Sequence, residues 1–159
     1  MEDKNQDIGK ATPINNWYVA INPETLDIVK AMEERKSIFL PHPRLVNYAL
    51  RKVEVGDRFY VYVSKGYAQI MYCLEITELG VERMRYGIMT KYAPKELPNL
   101  NAWVKCKKIS RVRPAYKPLQ CTALMRECFE NLQIAKLIRD ENLDYIESHF
   151  AAVAQPYNE

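Results

Sequence analysis

The chain has few of the residues on which common catalytic and metal sites depend. Its two histidines, His42 and His149, lie far apart in the sequence, and its four cysteines form no C-x-x-C pair. Without the local spacing of a zinc site, we expect no bound metal and no cofactor. Five glycines, and no G-x-G-x-x-G, P-loop or G-x-S-x-G sequence, provide neither a phosphate cradle nor a nucleophile elbow. The sequence therefore favours a binding module over an enzyme.

Long hydrophobic runs are also absent. No stretch of 18 apolar residues occurs, so we expect no membrane span. The start, "MEDKNQDIGKATP", is not apolar and does not resemble a signal peptide. We expect residues 1–14 to form a polar tail and residues 15–155 a single domain, in the cytoplasm, where thiols stay reduced.

The net charge of +3 is modest, but the charges are unevenly distributed. No acidic residue occurs from Leu97 to Arg126, a segment that holds seven bases. From Glu127 to Glu159 there are seven acids and only two bases. The basic segment is a candidate surface for a phosphate backbone. The alternative is that it faces the acidic C-terminal helices and is neutralised there.

Hydrophobic patterns predict an α+β fold. Strands are expected at 17–21, 58–64, 67–79, 83–92 and 102–112. Helices are expected at 24–35, 45–53, 121–129, 133–139 and 141–150, with a loop at 36–44. Four strands in hairpin-like succession with so few glycines indicate a curved, partly closed β-barrel of about five to six strands, with helices at its ends.

Aromatic residues are concentrated in the first two thirds of the chain, beside the basic segment. Tyrosine suits stacking on a nucleobase as well as filling a core, because it has a flat apolar face and a polar tip. Each ring taken singly is better explained as core. The combination of rings, basic residues and side-chain amides is typical of a nucleic-acid binder.

Five short motifs, spread over residues 15–78, resemble the EVE domain of the PUA-like superfamily, which also contains the YTH and ASCH domains. The family has a Trp-bearing first strand ending in a proline turn, an Asn-Tyr helix, a Val-Gly-Asp turn, a Tyr-x-Ser element and a strand returning to Glu. In this chain the corresponding residues are Trp17 to Pro23, Asn47-Tyr48, Val55-Gly56-Asp57, Tyr62-Val63-Ser64 and Glu75.

The resemblance implies a compact barrel with a pocket for a base flipped out of nucleic acid. Relatives read modified bases, in RNA for YTH domains and in DNA for EVE-like domains. Asn47 and Tyr48 would line the pocket, and Ser64 would close its rim. The family's Trp-Asp-Gly-Val phrase is missing here, so either Phe39 or His42 replaces its tryptophan or the aromatic cage is incomplete.

The sequence thus leads to the hypothesis of a non-enzymatic reader that binds RNA or DNA and holds a flipped base, plain or modified. The base pocket is predicted from Trp17, Phe39, His42, Asn47, Tyr48, Tyr62 and Ser64. Phosphate contacts are predicted from Lys65, Lys105, Lys107 and Arg111. One alternative is a protein-interaction module that uses the basic strip. The other is an ASCH-type hydrolase of modified nucleosides, with Ser64, Lys65 and Glu75.

Overall fold

The structure, a computed structural model, describes residues 14–41, 53–81, 87–92, 103–133 and 135–157. These ranges contain seven strands and three α-helices. The strands are β1 (Asn16–Ile21), β2 (Ser37–Pro41), β3 (Arg58–Val63), β4 (Gln69–Val81), β5 (Trp103–Arg111), β6 (Lys136–Ile138) and β7 (Gln155–Pro156). The helices are α1 (Ile28–Glu34), α2 (Cys121–Glu127) and α3 (Asp140–Val153), with 3₁₀ helices at Gly87–Tyr92 and Lys117–Leu119.

All seven strands belong to one mixed sheet. Its order is β2-β5-β4-β3-β1-β6, and β7 pairs with β5. β1 and β3 are parallel, whereas the other pairs are antiparallel. Within the described ranges β2 and β6 do not pair with each other, so the sheet is not closed. The predicted α+β class is confirmed.

The central strand β3 is buried on both faces of the sheet. On one face Phe59 and Val61 belong to a core with Trp17 and α1. On the other face Tyr60 packs edge-on against Phe150 of α3, with 5.0 Å between ring centroids. The C-terminal helices therefore cover the second face. The helix predicted at 45–53 lies almost wholly outside the described residues.

The turn before β3 is tied to β1 through a buried carboxylate. Gly56 has a φ of +97°, a left-handed conformation that favours glycine. Asp57, which follows it, is 3% exposed. Its carboxylate accepts hydrogen bonds from the Trp17 indole Nε1 at 2.9 Å and from the backbone N–H groups of Asn15 and Glu54 at 3.1 and 3.0 Å. Two of the recognised motifs thus hold each other in place.

Residues 36–44 were expected to form a loop, and that prediction was wrong for the first half of the segment. Ser37–Pro41 is strand β2, which pairs with β5. Ile38, Phe39 and Leu40 are all buried, so the strand is covered on both faces and shows no alternation. Such a short apolar run carries no periodicity by which to recognise it.

Two other predicted elements also have a different structure. Gly87–Tyr92, within the strand predicted at 83–92, is a 3₁₀ helix. Met89 and Tyr92 are both buried, and their spacing of three matches the period of that helix. The helix predicted at 133–139 contains β6, which extends the sheet beside β1. Helix α1 begins only at Ile28, where Asp27 caps it by accepting a hydrogen bond from the Lys30 N–H at 3.1 Å.

Candidate functional site

The parallel strands β1 and β3 end at the same edge of the sheet, where a cavity of about 630 Å³ opens. This volume lies within the usual range for small-molecule sites. Asn22 follows β1 and Ser64 follows β3. The described residues that line the cavity are Ala20, Asn22, Tyr62, Ser64, Lys65, Cys121, Met125, Glu130, Asn131, Leu132 and Gln133.

A β-bulge lies beside Tyr62, the aromatic side chain that lines this cavity. Val61 pairs with Tyr72, but Tyr62 pairs with Ile70, so Met71 of β4 is the extra residue. The Met71 carbonyl instead accepts a hydrogen bond from the Val112 N–H at 2.8 Å. Bulges of this kind re-aim side chains next to binding sites. Burial, and after it the neighbouring Cys121, raises the pKa of Tyr62 to about 12, so its hydroxyl is protonated at neutral pH.

The hairpin turn after β3 fixes the start of helix α2. Ala68, with a φ of 50°, donates its N–H to the Ser64 carbonyl at 3.0 Å. The Ala68 carbonyl accepts a hydrogen bond from the Cys121 N–H at 2.8 Å. A left-handed conformation at alanine is uncommon and costs free energy. The turn that carries Ser64 and Lys65 and the helix on the other side of the cavity are therefore held in one arrangement.

The wall formed by residues 130–133 is held by three hydrogen bonds. The Tyr18 hydroxyl donates to the Leu132 carbonyl at 2.6 Å. The Lys136 ammonium donates to the Asn131 carbonyl. The Asn131 side-chain oxygen accepts from the Gln133 N–H at 2.7 Å. This irregular segment is consequently a positioned wall of the cavity.

The cavity has both polar and apolar lining residues and is nearly balanced in charge. Its amides, Asn22, Asn131 and Gln133, each carry donor and acceptor atoms. Lys65 is its cation and forms an exposed ion pair with Glu24, with 3.8 Å between Nζ and Oε1. Glu130 is the carboxylate among the described lining residues. Such a lining suits a neutral polar ligand better than a strongly anionic one.

The structure brings together three of the predicted site residues and separates others. Tyr62, Ser64 and Lys65 all line the cavity. Trp17 and Phe39 are buried in the core on the opposite face of the sheet and do not line it. His42, Asn47 and Tyr48 lie outside the described residues, so their place in the pocket stays a prediction.

Two of the other predicted phosphate contacts, Lys105 and Lys107, lie away from this edge. Lys107 of β5 lies opposite Glu75 of β4, and Glu75 in turn lies opposite Arg58 at the start of β3. Tyr62 is four residues further along β3, about 13 Å. Lys105 lies opposite Glu78, still further from the cavity. Their acidic cross-strand neighbours are thus on β4 instead of the C-terminal helices.

Arg111 ends β5 and is held on the opposite face from Tyr62. Its guanidinium lies 5.7 Å from the centroid of the Tyr157 ring, which packs on the core that contains Trp17. Tyr62 belongs to the other core cluster. The basic residues that are continuous in the sequence are therefore dispersed in space.

The register also places Glu75, the carboxylate suggested for a hydrolase, at the far end of the sheet from Ser64 and Lys65.

Several lining residues were not predicted as site residues. Cys121 and Met125 come from α2, and Glu130, Asn131, Leu132 and Gln133 come from the segment after it. The amide-bearing run "NLQ" between two helical patterns was the available signal. It carried no information about which end of the sheet it would reach.

Within the described ranges, no group of three His, Cys, Asp or Glu side chains is arranged to hold a metal ion. No helix in the same ranges has the length and apolar character needed to cross a bilayer.

Comparison with solved structures shows the fold. The chain superposes on the ASCH protein from Zymomonas mobilis with a TM-score of 0.54 at 11% sequence identity, covering 84% of this chain and 94% of that one. It superposes on a protein from Agrobacterium tumefaciens with a TM-score of 0.52 at 13% identity, covering 84% and 92%. No family model and no curated protein matches the sequence.

Proposed function

We propose that this protein is a nucleic-acid-binding module that admits one unstacked base, plain or modified, into the cavity beside Tyr62. The fold likeness to an ASCH protein agrees with the sequence resemblance at the level of the PUA-like superfamily. Neither solved structure is called an EVE domain, so the assignment to that branch stays a prediction.

One observation carries the proposal: the cavity combines a buried tyrosine with three side-chain amides and little net charge. Bases are neutral and planar, and the Watson–Crick edge of each base presents both donors and acceptors. Amides satisfy either kind of atom. A base extruded from a strand can therefore exchange its lost pairing for bonds to Asn22, Asn131 and Gln133.

We propose binding without a chemical step. The Ser64 hydroxyl donates to the Ile21 carbonyl at 3.4 Å, and Lys65 is paired with Glu24. Among the described residues, no carboxylate or imidazole contacts the Ser64 hydroxyl, and the carboxylate beside Lys65 belongs to an exposed ion pair. Glu75 lies at the other end of the sheet. Release of an acyl group or an amine from modified nucleosides, lost in Lys65→Ala, would favour the hydrolase instead.

The test is a titration of labelled oligonucleotides, single- and double-stranded, plain and carrying methylated cytosine or adenine, at two salt concentrations. Gln133→Ala removes an exposed amide from the cavity, and its N–H bond to Asn131 is made by the backbone. Gln155→Ala, on the exposed strand β7, is the matched control. One base-reading amide contributes about 1–3 kcal/mol of discrimination.

We expect Gln133→Ala to weaken binding of the preferred strand and reduce its preference over other strands, while Gln155→Ala binds as the wild type does. Tyr62→Phe, which keeps the ring and removes the hydroxyl, should change affinity in the same assay. Equal binding of all strands by wild type and both cavity variants would show that the cavity does not read a base. A co-purifying acidic protein, with no oligonucleotide bound, would favour the protein-interaction module.

A further inference from the structure

Helix α2 separates the base cavity from a second cavity of about 570 Å³. Cys121 and Met125 line the first cavity, whereas Thr122 and Arg126 line the second. Residues four apart lie on the same face of a helix, so each of these two pairs of side chains lines one cavity. The two cavities are therefore separated by a single helix, about 10 Å across.

The second cavity differs from the first in charge. Lys117, Arg126 and His149 line it, and none of its described lining residues is acidic. Arg126 contacts the neighbouring Glu127, with 3.0 Å between Nε and Oε2, but both side chains are largely exposed. Exposed pairs of this kind contribute little and exchange readily for another anion. Of the two cavities, the second is the one suited to an anionic group.

The wall that carries His149 is well positioned. The Tyr116 hydroxyl lies 2.7 Å from His149 Nδ1, which leaves Nε2 as the ring nitrogen for a ligand. The Tyr145 hydroxyl donates to the Pro118 carbonyl at 2.8 Å, and its ring centroid is 4.7 Å from that of His149. Cations, an imidazole and the nearby Thr122 hydroxyl form a donor set that binds phosphate oxygens.

We propose that the second cavity binds backbone phosphates of a single-stranded nucleic acid whose unstacked base occupies the first cavity. This inference rests on the proposed function and adds a path for the strand, which crosses over α2. Met125, on the cavity side of that helix, is 52% exposed and offers an apolar surface to the crossing nucleotide. A single strand fits because its bases are free to leave the stack.

The test measures how the affinity for a single-stranded oligonucleotide depends on salt concentration, and compares the wild type with a double variant and a matched control. The double variant Lys117→Ala/Arg126→Ala removes both cations from the second cavity. The matched control Lys30→Ala/Lys36→Ala removes two exposed cations, one in α1 and one just after it, and α1 packs on the other face of the sheet. Each phosphate contact to a single strand contributes about 0.7 to the slope of log affinity against log salt concentration.

We expect the double variant to reduce that slope by about 1.4 and the control to leave it unchanged. Binding of the free nucleoside, which has no phosphate, should be the same in all three proteins. An unchanged slope in Lys117→Ala/Arg126→Ala, or an equal reduction in the control, would overturn the phosphate site.

The two proposals fail in distinguishable ways. If the nucleoside binds and Gln133→Ala weakens it, but the slope is unaffected, the base cavity stands and the phosphate site is wrong. If the slope falls but neither Gln133→Ala nor Tyr62→Phe changes binding, the phosphate site stands without a base cavity. Displacement of the oligonucleotide by an equally charged polyglutamate peptide, at equal concentration, would overturn the nucleic-acid assignment in favour of an acidic protein partner.

Discussion

Replacing Asp57 by asparagine should destabilise the fold by about 3–5 kcal/mol, because three donors converge on its buried carboxylate. Oδ1 accepts from the Asn15 N–H at 3.1 Å. Oδ2 accepts from Trp17 Nε1 at 2.9 Å and from the Glu54 N–H at 3.0 Å. Asparagine has the same shape but only one acceptor oxygen.

The magnitude follows from the arrangement of these donors. If the amide oxygen takes the place of Oδ2, the bonds from Trp17 and Glu54 remain, and the Asn15 N–H faces an NH₂ group. The opposite orientation leaves two donors without an acceptor. A buried donor without a partner costs about 1–3 kcal/mol, and each remaining bond is weaker by about 1 kcal/mol because the acceptor is no longer charged.

Urea denaturation at neutral pH measures this free energy directly. Asp27→Asn is the matched control, because Asp27 caps α1 through a bond to the Lys30 N–H and asparagine is an equally good cap. We expect the control to lie within about 0.5 kcal/mol of the wild type. The same small change in Asp57→Asn would refute the idea that this carboxylate holds the turn to β1.

Two further predictions concern the turn before β3 and the buried tyrosines of β1 and β3. Gly56→Ala should cost about 1–2 kcal/mol in the same assay, because a φ of +97° strains alanine although its Cβ meets no atom within 4 Å; an unchanged midpoint would contradict this. Burial raises the pKa of Tyr62 to about 12, and those of Tyr18 and Tyr60 also lie above the ordinary value of 10. A raised tyrosine pKa contributes stability that is complete below pH 10 and is lost as the hydroxyl ionises. The free energy of unfolding should therefore fall from about pH 10 to 12, less steeply in Tyr62→Phe, and parallel curves for the two proteins would refute this assignment.

The sequence predicted the regular elements best where pattern and turn chemistry agree. β1, β3, β4 and β5 lie where alternation, aromatic residues and turns indicated strands. It failed for β2 and β6, which are too short to display a period. Their strand character comes from pairing with β5 and β1, residues distant in the chain. A long-range partner of this kind leaves no mark on a short segment.

The candidate site was less predictable because it is assembled from segments far apart in sequence. Tyr62, Ser64 and Lys65 could be predicted from the sequence, since they lie at or just after the end of one recognisable strand. Asn131 and Gln133 reach the same cavity only because β6 pairs with β1 and the Tyr18 hydroxyl holds Leu132. The position of these two amides at the cavity is therefore set by long-range pairing in the fold and not by the local sequence.

The basic segment shows why order in the sequence misleads about charge. Lys105 and Lys107 alternate with apolar residues on β5, so the sheet register places them opposite Glu78 and Glu75 of β4. Lys117 and Arg126, beyond the end of that strand, line a cavity on the far side of α2. One continuous basic run is thus divided between a strand with acidic cross-strand neighbours and a separate cavity lined by cations.

Two of the motifs that carried the family resemblance have a structural role in this molecule. Trp17 and the Val-Gly-Asp turn meet in the Asp57 hydrogen bonds, on the core face away from the cavity. The Tyr-x-Ser element differs from them, because Tyr62 and Ser64 reach the cavity. Residues that hold a fold can be shared among proteins with different ligands. The resemblance therefore predicts the fold more securely than the ligand, and the ligand has to be identified from the cavity's own amides and charges.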